Sequence, residues 1–134
     1  MAALAGCGIH NALIEINGPE VPILDGSAMQ FVEGILAKGI RPLSAPLRAF
    51  RILKTVEVQD GLAWARLEPA ERMEMDFHID FTDAAIGRQS RRMSLANGAF
   101  VRELCDSRTF CRQADVDLMQ ANGLALGGTL ENAV

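Results

Sequence analysis

His10 and His78 are the two histidines of the chain, and with Cys7, Cys105 and Cys111 they are its most versatile ligands and proton carriers. Zinc sites draw three or four ligands from His, Cys and carboxylates. Asp76, His78 and Asp80 alternate with Phe77 and Ile79, so on a strand they share one face, in a row that could hold an ion. The wet face of an amphipathic sheet is the commoner fate of such a row. His10 follows a helical stretch and a glycine, where its ordinary role is to face the negative end of the helix dipole. The cysteines are odd in number and contain no C-x-x-C pair, so neither a zinc knuckle nor a disulfide framework is written here, and reduced thiols are expected. Ser90, Ser94 and Ser107 are nucleophiles that the sequence places near neither histidine, and no G-x-S-x-G elbow occurs. Gly127-Gly128-Thr129 is too short for a phosphate loop and lacks its lysine. Arg88, Arg91 and Arg92 could meet an anion, although a solvated hairpin arm needs nothing more. Residue types and spacing alone give no complete catalytic constellation.

The elements that would position these residues alternate between strand and helix without a repeat. Residues 1–6 read as the end of a helix. Ala12, Ile14 and Ile16 alternate with Leu13 and Glu15, which predicts a strand turning at Asn17-Gly18-Pro19, and a second short strand covers 21–24. Ser27 can cap a helix whose stripe is Ala28, Phe31, Val32, Ile35 and Leu36, with Gly39 as its stop. Two prolines in residues 41–48 mark a linker. Phe50, Ile52, Val56 and Val58 then share a strand face, and Asp60-Gly61 turns the chain into Ala63, Ala65 and Leu67. Residues 73–81 give the clearest strand, with Met73, Met75, Phe77, Ile79 and Phe81 on the packed face. After a polar stretch at 82–92, Asn97 can cap a helix burying Phe100, Val101, Leu104 and Cys105, and a second helix covers 113–121. Antiparallel strands followed by helices predict an α+β fold.

Composition narrows the function classes. In 134 residues, 49% are apolar and 22% charged, the balance of a globular protein, and the net charge of −4 disfavours a nucleic-acid binder. Tyrosine is absent and aromatics are 5%, so stacking platforms for bases are scarce. No apolar run approaches the ~20 residues of a membrane span. The first residues lack a signal-peptide pattern, so the expected location is the cytoplasm.

Several runs resemble the UDP-3-O-acyl-N-acetylglucosamine deacetylases, zinc amidases of lipid A synthesis. They are Ala-Leu-Ala-Gly-Cys-Gly-Ile-His-Asn-Ala at 3–12, Asn-Gly-Pro-Glu-Val-Pro-Ile-Leu-Asp-Gly-Ser-Ala at 17–28, Trp-Ala-Arg-Leu-Glu-Pro at 64–69 and Asp-Phe-His-Ile-Asp-Phe at 76–81. Ala-Ile-Gly-Arg-Gln at 85–89, Arg-Thr-Phe at 108–110 and Asn-Gly-Leu-Ala-Leu-Gly-Gly-Thr-Leu-Glu-Asn-Ala at 122–133 complete the set, in order along the whole chain. The resemblance implies two α+β domains, each a two-layer sandwich of an antiparallel-rich sheet with helices on one face. Residues 1–43 would be the end of the first domain and 44–134 the beginning of the second. It implies hydrolysis of the N-acetyl group of a small-molecule substrate, UDP-3-O-acyl-N-acetylglucosamine.

Site residues follow by the same resemblance. Thr109 matches a threonine that helps hold the oxyanion, although without the family match an ST-turn between two helices is the better reading. Phe81 and Phe110 match substrate-contacting aromatics, while Val116, Ala125, Thr129, Leu130 and Ala133 match positions lining an acyl passage. Core packing predicts the same apolar residues. The family's Glu-His pair lies just ahead of the stretch matching Met1, and its His-Lys-x-x-Leu-Asp motif lies beyond Val134, so zinc ligands and general base are expected outside these residues. The chain therefore reads as an internal fragment, incomplete at both ends and inactive by itself. Cys111-Arg112 replaces a Gly-Phe common in the family, Ala63 replaces a Lys of some members, and His10 replaces a usual Asp. A rival of another class is a non-catalytic module of the same fold that binds a lipid or a partner.

Overall fold

A computed structural model describes residues 1–132; Ala133 lies outside the described residues. The chain is α+β, with four helices and two antiparallel two-stranded sheets among those residues. It divides into two compact units, Met1–Pro42 with the chain from Gly98 onward, and Leu43–Asn97. The chain passes between the units twice, at Pro42–Leu43 and at Asn97–Gly98.

The first unit holds helices α1 (Ala2–Gly6), α2 (Met29–Lys38), α3 (Ala99–Glu103) and α4 (Gln113–Ala121). Its core is Ala3, Val32, Phe100 and Cys105, with Cys7, Ala28, Met29, Ile35, Val101 and Leu104 packed against it. Gly6 is required there, because a Cβ at this position would run into the Phe100 ring. The ring therefore lies against bare backbone, closer than any side chain would allow. Helix α2 follows its apolar stripe: Val32 is 1% exposed, whereas Phe31 and Leu36 at the stripe's edges stay exposed. The N–H of Gly39 donates to the carbonyls of Ile35 and Leu36 at 2.9 and 3.2 Å and ends the helix.

Helix α3 starts differently from the expected Asn97 cap. Asn97 (φ 53°) and Gly98 (φ 72°) both adopt left-handed backbone, so the chain turns over two residues and Gly98 takes the cap position. Leu104 and Cys105 lie just past the helix, where both N–H groups donate to the Phe100 carbonyl at 3.0 and 2.9 Å. The strands expected at 12–16 and 21–24 do not form; residues 11–24 are irregular and exposed. A strand is stable only when its N–H and C=O groups find a neighbouring strand. Among the described residues none pairs with this stretch.

The second unit holds β1 (Val56–Asp60), β2 (Ala63–Leu67), β3 (Glu74–Asp80) and β4 (Arg88–Ser94), paired β1–β2 and β3–β4. In the first hairpin Val56, Val58, Ala65 and Leu67 share one face, and Glu57, Gln59, Trp64 and Arg66 the other. On that polar face Arg66 Nε meets Glu57 Oε2 at 2.7 Å, and its guanidinium lies 5.2 Å from the Trp64 ring centre. Strand β4 was not legible as a strand because it has no apolar alternation. Its pairing is one of charge: Arg92 faces Asp76, Arg88 faces Asp80, and Arg92 Nη2 reaches Glu74 Oε2 at 2.9 Å. Met75, Phe77, Ile79 and Met93 gather on the opposite face. No residue of Leu43–Asn97 is buried.

Protection against hydrogen exchange is therefore expected to be greatest in α2, and the amides of β1–β4 are expected to exchange faster. Phe100→Ala should lower α2 protection by ~3 kcal/mol, and Phe77→Ala should change it little. Exchange measured by NMR on both variants checks this; strand amides that outlast those of α2 would place the core elsewhere.

Candidate active site

The run Ile-Leu-Asp-Gly-Ser at 23–27 makes a tight turn just ahead of α2. Leu24 (φ 54°) and Gly26 (φ 84°) are both left-handed, and the Gly26 N–H donates to the Ile23 carbonyl at 3.0 Å. Asp25 Oδ1 accepts the N–H of Ser27 at 3.1 Å and its hydroxyl at 2.9 Å. The buried Ser27 hydroxyl in turn accepts the Met29 N–H at 3.2 Å, satisfying one donor at the start of α2. Arg108 Nη2 reaches Asp25 Oδ2 at 3.3 Å from 83 residues away in the sequence. The Ser27 hydroxyl, then the Ser27 N–H, hold the Asp25 carboxyl below its ordinary value of 3.8; desolvation opposes them and Arg108 adds to them.

Two segments are tied to this turn. On one side the Ala28 N–H donates to the Cys105 carbonyl at 2.9 Å, and the Cys105 thiol lies 3.6 Å from Met29 Sδ. With the Arg108 contact, this lays residues 105–108 along the turn. Thr109 and Phe110 follow directly, both exposed. On the other side the side chain of Asn132 is buried. Its Oδ1 accepts the Thr129 N–H at 2.8 Å, and its Nδ2 donates to the carbonyls of Gly127 at 2.9 Å and Leu24 at 3.5 Å. The backbone oxygen of Asn132 occupies the place where a Cβ on residue 26 would stand.

Thr129 Oγ1 accepts the Glu131 N–H at 3.2 Å, and Leu130 points into solvent at 73% exposure. Gln120 Nε2, near the end of α4, donates to the carbonyls of Gly128 and Ala125 at 3.2 and 3.5 Å. Ala125 is half-buried with φ 51°, and Val116 is buried on α4. Arg112 Nε lies 3.2 Å from Asp115 Oδ2 in an exposed pair at the start of α4. Phe81 belongs to the second unit, where its N–H donates to the Gly87 carbonyl at 3.0 Å. Asp25, Gly26, Ser27, Arg108 and Asn132 were not singled out as site residues by type or spacing. The one local signal is Ser27, expected as the cap of α2.

His78 is held between two partners: Nδ1 is 2.8 Å from Ser90 Oγ and Nε2 is 3.1 Å from Asp76 Oδ1. The antiparallel register brings Ser90 opposite His78, a juxtaposition that sequence distance concealed. These groups are about half exposed on a regular hairpin, and strand amides point sideways into the ladder, so no pair of them converges on Ser90 as an oxyanion hole would require. The cluster is a solvated cross-strand network.

Among the described residues no three His, Cys, Asp or Glu side chains stand together to hold a metal. The donor set among these residues therefore does not make a zinc site by itself. No described helix is long and apolar enough to cross a membrane.

A model of the UDP-3-O-acyl N-acetylglycosamine deacetylase family matches residues 1–134. The chain belongs to the UDP-3-O-acyl-N-acetylglucosamine deacetylase family. Relatives bearing that name include one from Shewanella violacea, 45% identical over 135 residues that make up 99% of this chain and 44% of that protein. One from Anaeromyxobacter sp. is 46% identical over 134 residues, 100% of this chain and 44% of the relative. Another from Shewanella frigidimarina is 44% identical over 135 residues, with 99% and 44% coverage. The chain thus spans less than half the length of these deacetylases.

A carboxyl held below its ordinary value favours the folded state at any pH where it is ionised, and that contribution disappears as pH falls through the lowered value. Asp25 should accordingly titrate below 3.8, with its contribution complete above that pH and lost beneath it. Carboxyl NMR titration gives the midpoint directly. Unfolding between pH 5 and pH 2 should be less pH-dependent in Asp25→Asn than in the parent chain.

Proposed function

We propose that these residues form the substrate side of a hydrolase that removes the N-acetyl group of UDP-3-O-acyl-N-acetylglucosamine, releasing acetate, in lipid A biosynthesis. The observation that carries the reading is the family match over the whole chain. In it, residues 1–43 belong to one domain of the intact protein and 44–134 to a second. The zinc included in the reading takes its ligands outside these residues, and the protein works in the cytoplasm on a small-molecule substrate.

Thr109 is the residue proposed to act at the reacting atoms. When the amide carbonyl becomes tetrahedral its oxygen gains negative charge, and a hydroxyl aimed at that position stabilises the transition state more than the ground state. The exposure of Thr109 leaves its hydroxyl open to a ligand. Phe110 and Phe81, both partly exposed, offer apolar edges to the substrate. Val116, Ala125, Thr129, Leu130 and Ala133 are assigned to the wall of an acyl passage. Such a passage discriminates acyl length through the ~0.8 kcal/mol gained per buried CH₂. Arg112, where the resemblance places a Phe common in the family, is proposed to offer its charge to the diphosphate in exchange for Asp115.

A chimera in which this chain replaces the matching residues of the Shewanella violacea deacetylase tests the assignment. It should release acetate from UDP-3-O-acyl-N-acetylglucosamine. Thr109→Ala in that chimera should lower kcat by about 10²–10³ with the circular dichroism unchanged. A folded chimera that binds substrate without turnover would support the non-catalytic module instead. Full turnover in Thr109→Ala would remove that residue from the chemistry.

A further inference from the structure

We infer that the Asp25-Gly26-Ser27 turn is the positioning element of the candidate site, with Asp25 fixing Thr109 through Arg108 and Gly26 seating the turn at 129–132. What is positioned rests on the reading of Thr109 and Thr129 given above; the tethering itself rests on geometry alone.

Three observations converge. First, Asp25 divides its two oxygens between a local and a distant task. Oδ1 takes both Ser27 donors, while Oδ2, shared with the same hydroxyl at 3.0 Å, also receives Arg108 at 3.3 Å. The Arg108 and Asp25 side chains are 50% and 33% exposed, and a pair so wetted adds little to stability. Its consequence is geometric. Arg108 is held at the turn by this contact, and Thr109 is its neighbour in the chain.

Second, Gly26 admits no substitute. Its φ of 84° is left-handed, and its Cβ position is filled by the backbone carbonyl of Asn132, which cannot swing aside as a side chain can. Third, Asn132 is buried and joins Thr129, Gly127 and Leu24 in one hydrogen-bonded set. Segments 83 and 108 residues from the turn are thus referred to the same few atoms. Asp25 and Gly26 act through other residues, so both are positioning residues.

The test uses the full chain and reads amide exchange at Thr109, Phe110 and Thr129, together with the pH dependence of the Arg108 Nε–H resonance. Asp25→Asn keeps an acceptor for Ser27 and removes the charge facing Arg108. It should raise exchange at Thr109 and Phe110 about threefold to fivefold, leave Val32 and Ile35 unchanged, and abolish the response of the Arg108 resonance to ionisation of residue 25. Asp25→Glu should restore part of that response, and Arg108→Gln should reproduce the exchange effect without touching the turn. Gly26→Ala should perturb Thr129 and Asn132 and leave Arg108 in place. In the chimera, Asp25→Asn should lower kcat about tenfold with KM within twofold.

Unchanged exchange at 109–110 in both Asp25→Asn and Arg108→Gln would overturn the inference. So would an equal rise at Val32, which would make the turn a matter of stability only. Neither result depends on Thr109→Ala, whose failure to lower kcat would remove the catalytic reading and leave the tether standing.

Discussion

A carboxylate placed where the chain reverses must gather donors, and the first unit is organised around that requirement at Asp25. The turn is costly in isolation, since Leu24 adopts a left-handed backbone that disfavours an L-residue by roughly 1–2 kcal/mol. What offsets the cost comes from both ends of the chain. Ser27 supplies two donors locally, Arg108 a third from beyond α3, and Asn132 closes against Gly26 from beyond α4. The hydrophobic core lies next to this cluster, because Ala28 and Met29 bridge the turn to Cys105. Polar satisfaction at the turn and apolar packing of Val32, Phe100 and Cys105 thus specify the same arrangement of α2 and α3.

The second unit lacks any such centre. Its two ribbons are held by backbone ladders and by charge pairs across strands, and none of its residues is buried. A two-stranded ribbon is marginal in water unless an apolar face is covered. Both ribbons have such a face: Val56, Val58 and Leu67 on one, Met75, Phe77 and Ile79 on the other. Nothing among the described residues covers them fully, in a chain that spans 44% of the length of its relatives.

How much of this was legible in the sequence depended on whether an element's cause was local. Helix α4 matched its expected range, and α2 followed its stripe and stopped at Gly39, since periodicity and a glycine stop act over a few residues. The β1–β2 hairpin likewise followed from Asp60-Gly61 and the alternation of Val56 and Val58, whereas Phe50 and Ile52, expected on the same strand face, lie ahead of β1 outside any strand. Strand β4 failed that test because its partner determines it: five polar residues from Arg88 to Arg92 become a strand when Asp76 and Asp80 stand opposite. The stretch 11–24 failed in the opposite sense, showing alternation without a neighbour to pair with. The family resemblance supplied Thr109 and Phe110 as candidates, whereas the Asp25–Arg108 and Gly26–Asn132 contacts span 83 and 106 residues and leave no periodic trace. The Ser90–His78 contact was hidden for the same reason on a smaller scale.

The tether at Arg108 also bears on how a hydroxyl can matter to catalysis at all. Electrostatic stabilisation of an oxyanion depends on donors already aimed at the position the charge will occupy, and tolerances of about 0.5 Å separate a useful donor from an ordinary one. A threonine on an irregular stretch has no such aim of its own, because neither helix nor strand fixes residues 109–112. Orientation must then be imported from a neighbouring fixed point. Arg108 provides one through Nη2, which meets Asp25 Oδ2 at 3.3 Å from a planar guanidinium, a directed contact that a lysine ammonium would not make. Its anchor, Asp25, is itself oriented by two further hydrogen bonds from Ser27, so the chain of constraint ends in the first turn of α2 and the core. A Lys at position 108 would keep the charge and lose the direction, which separates orientation from simple attraction.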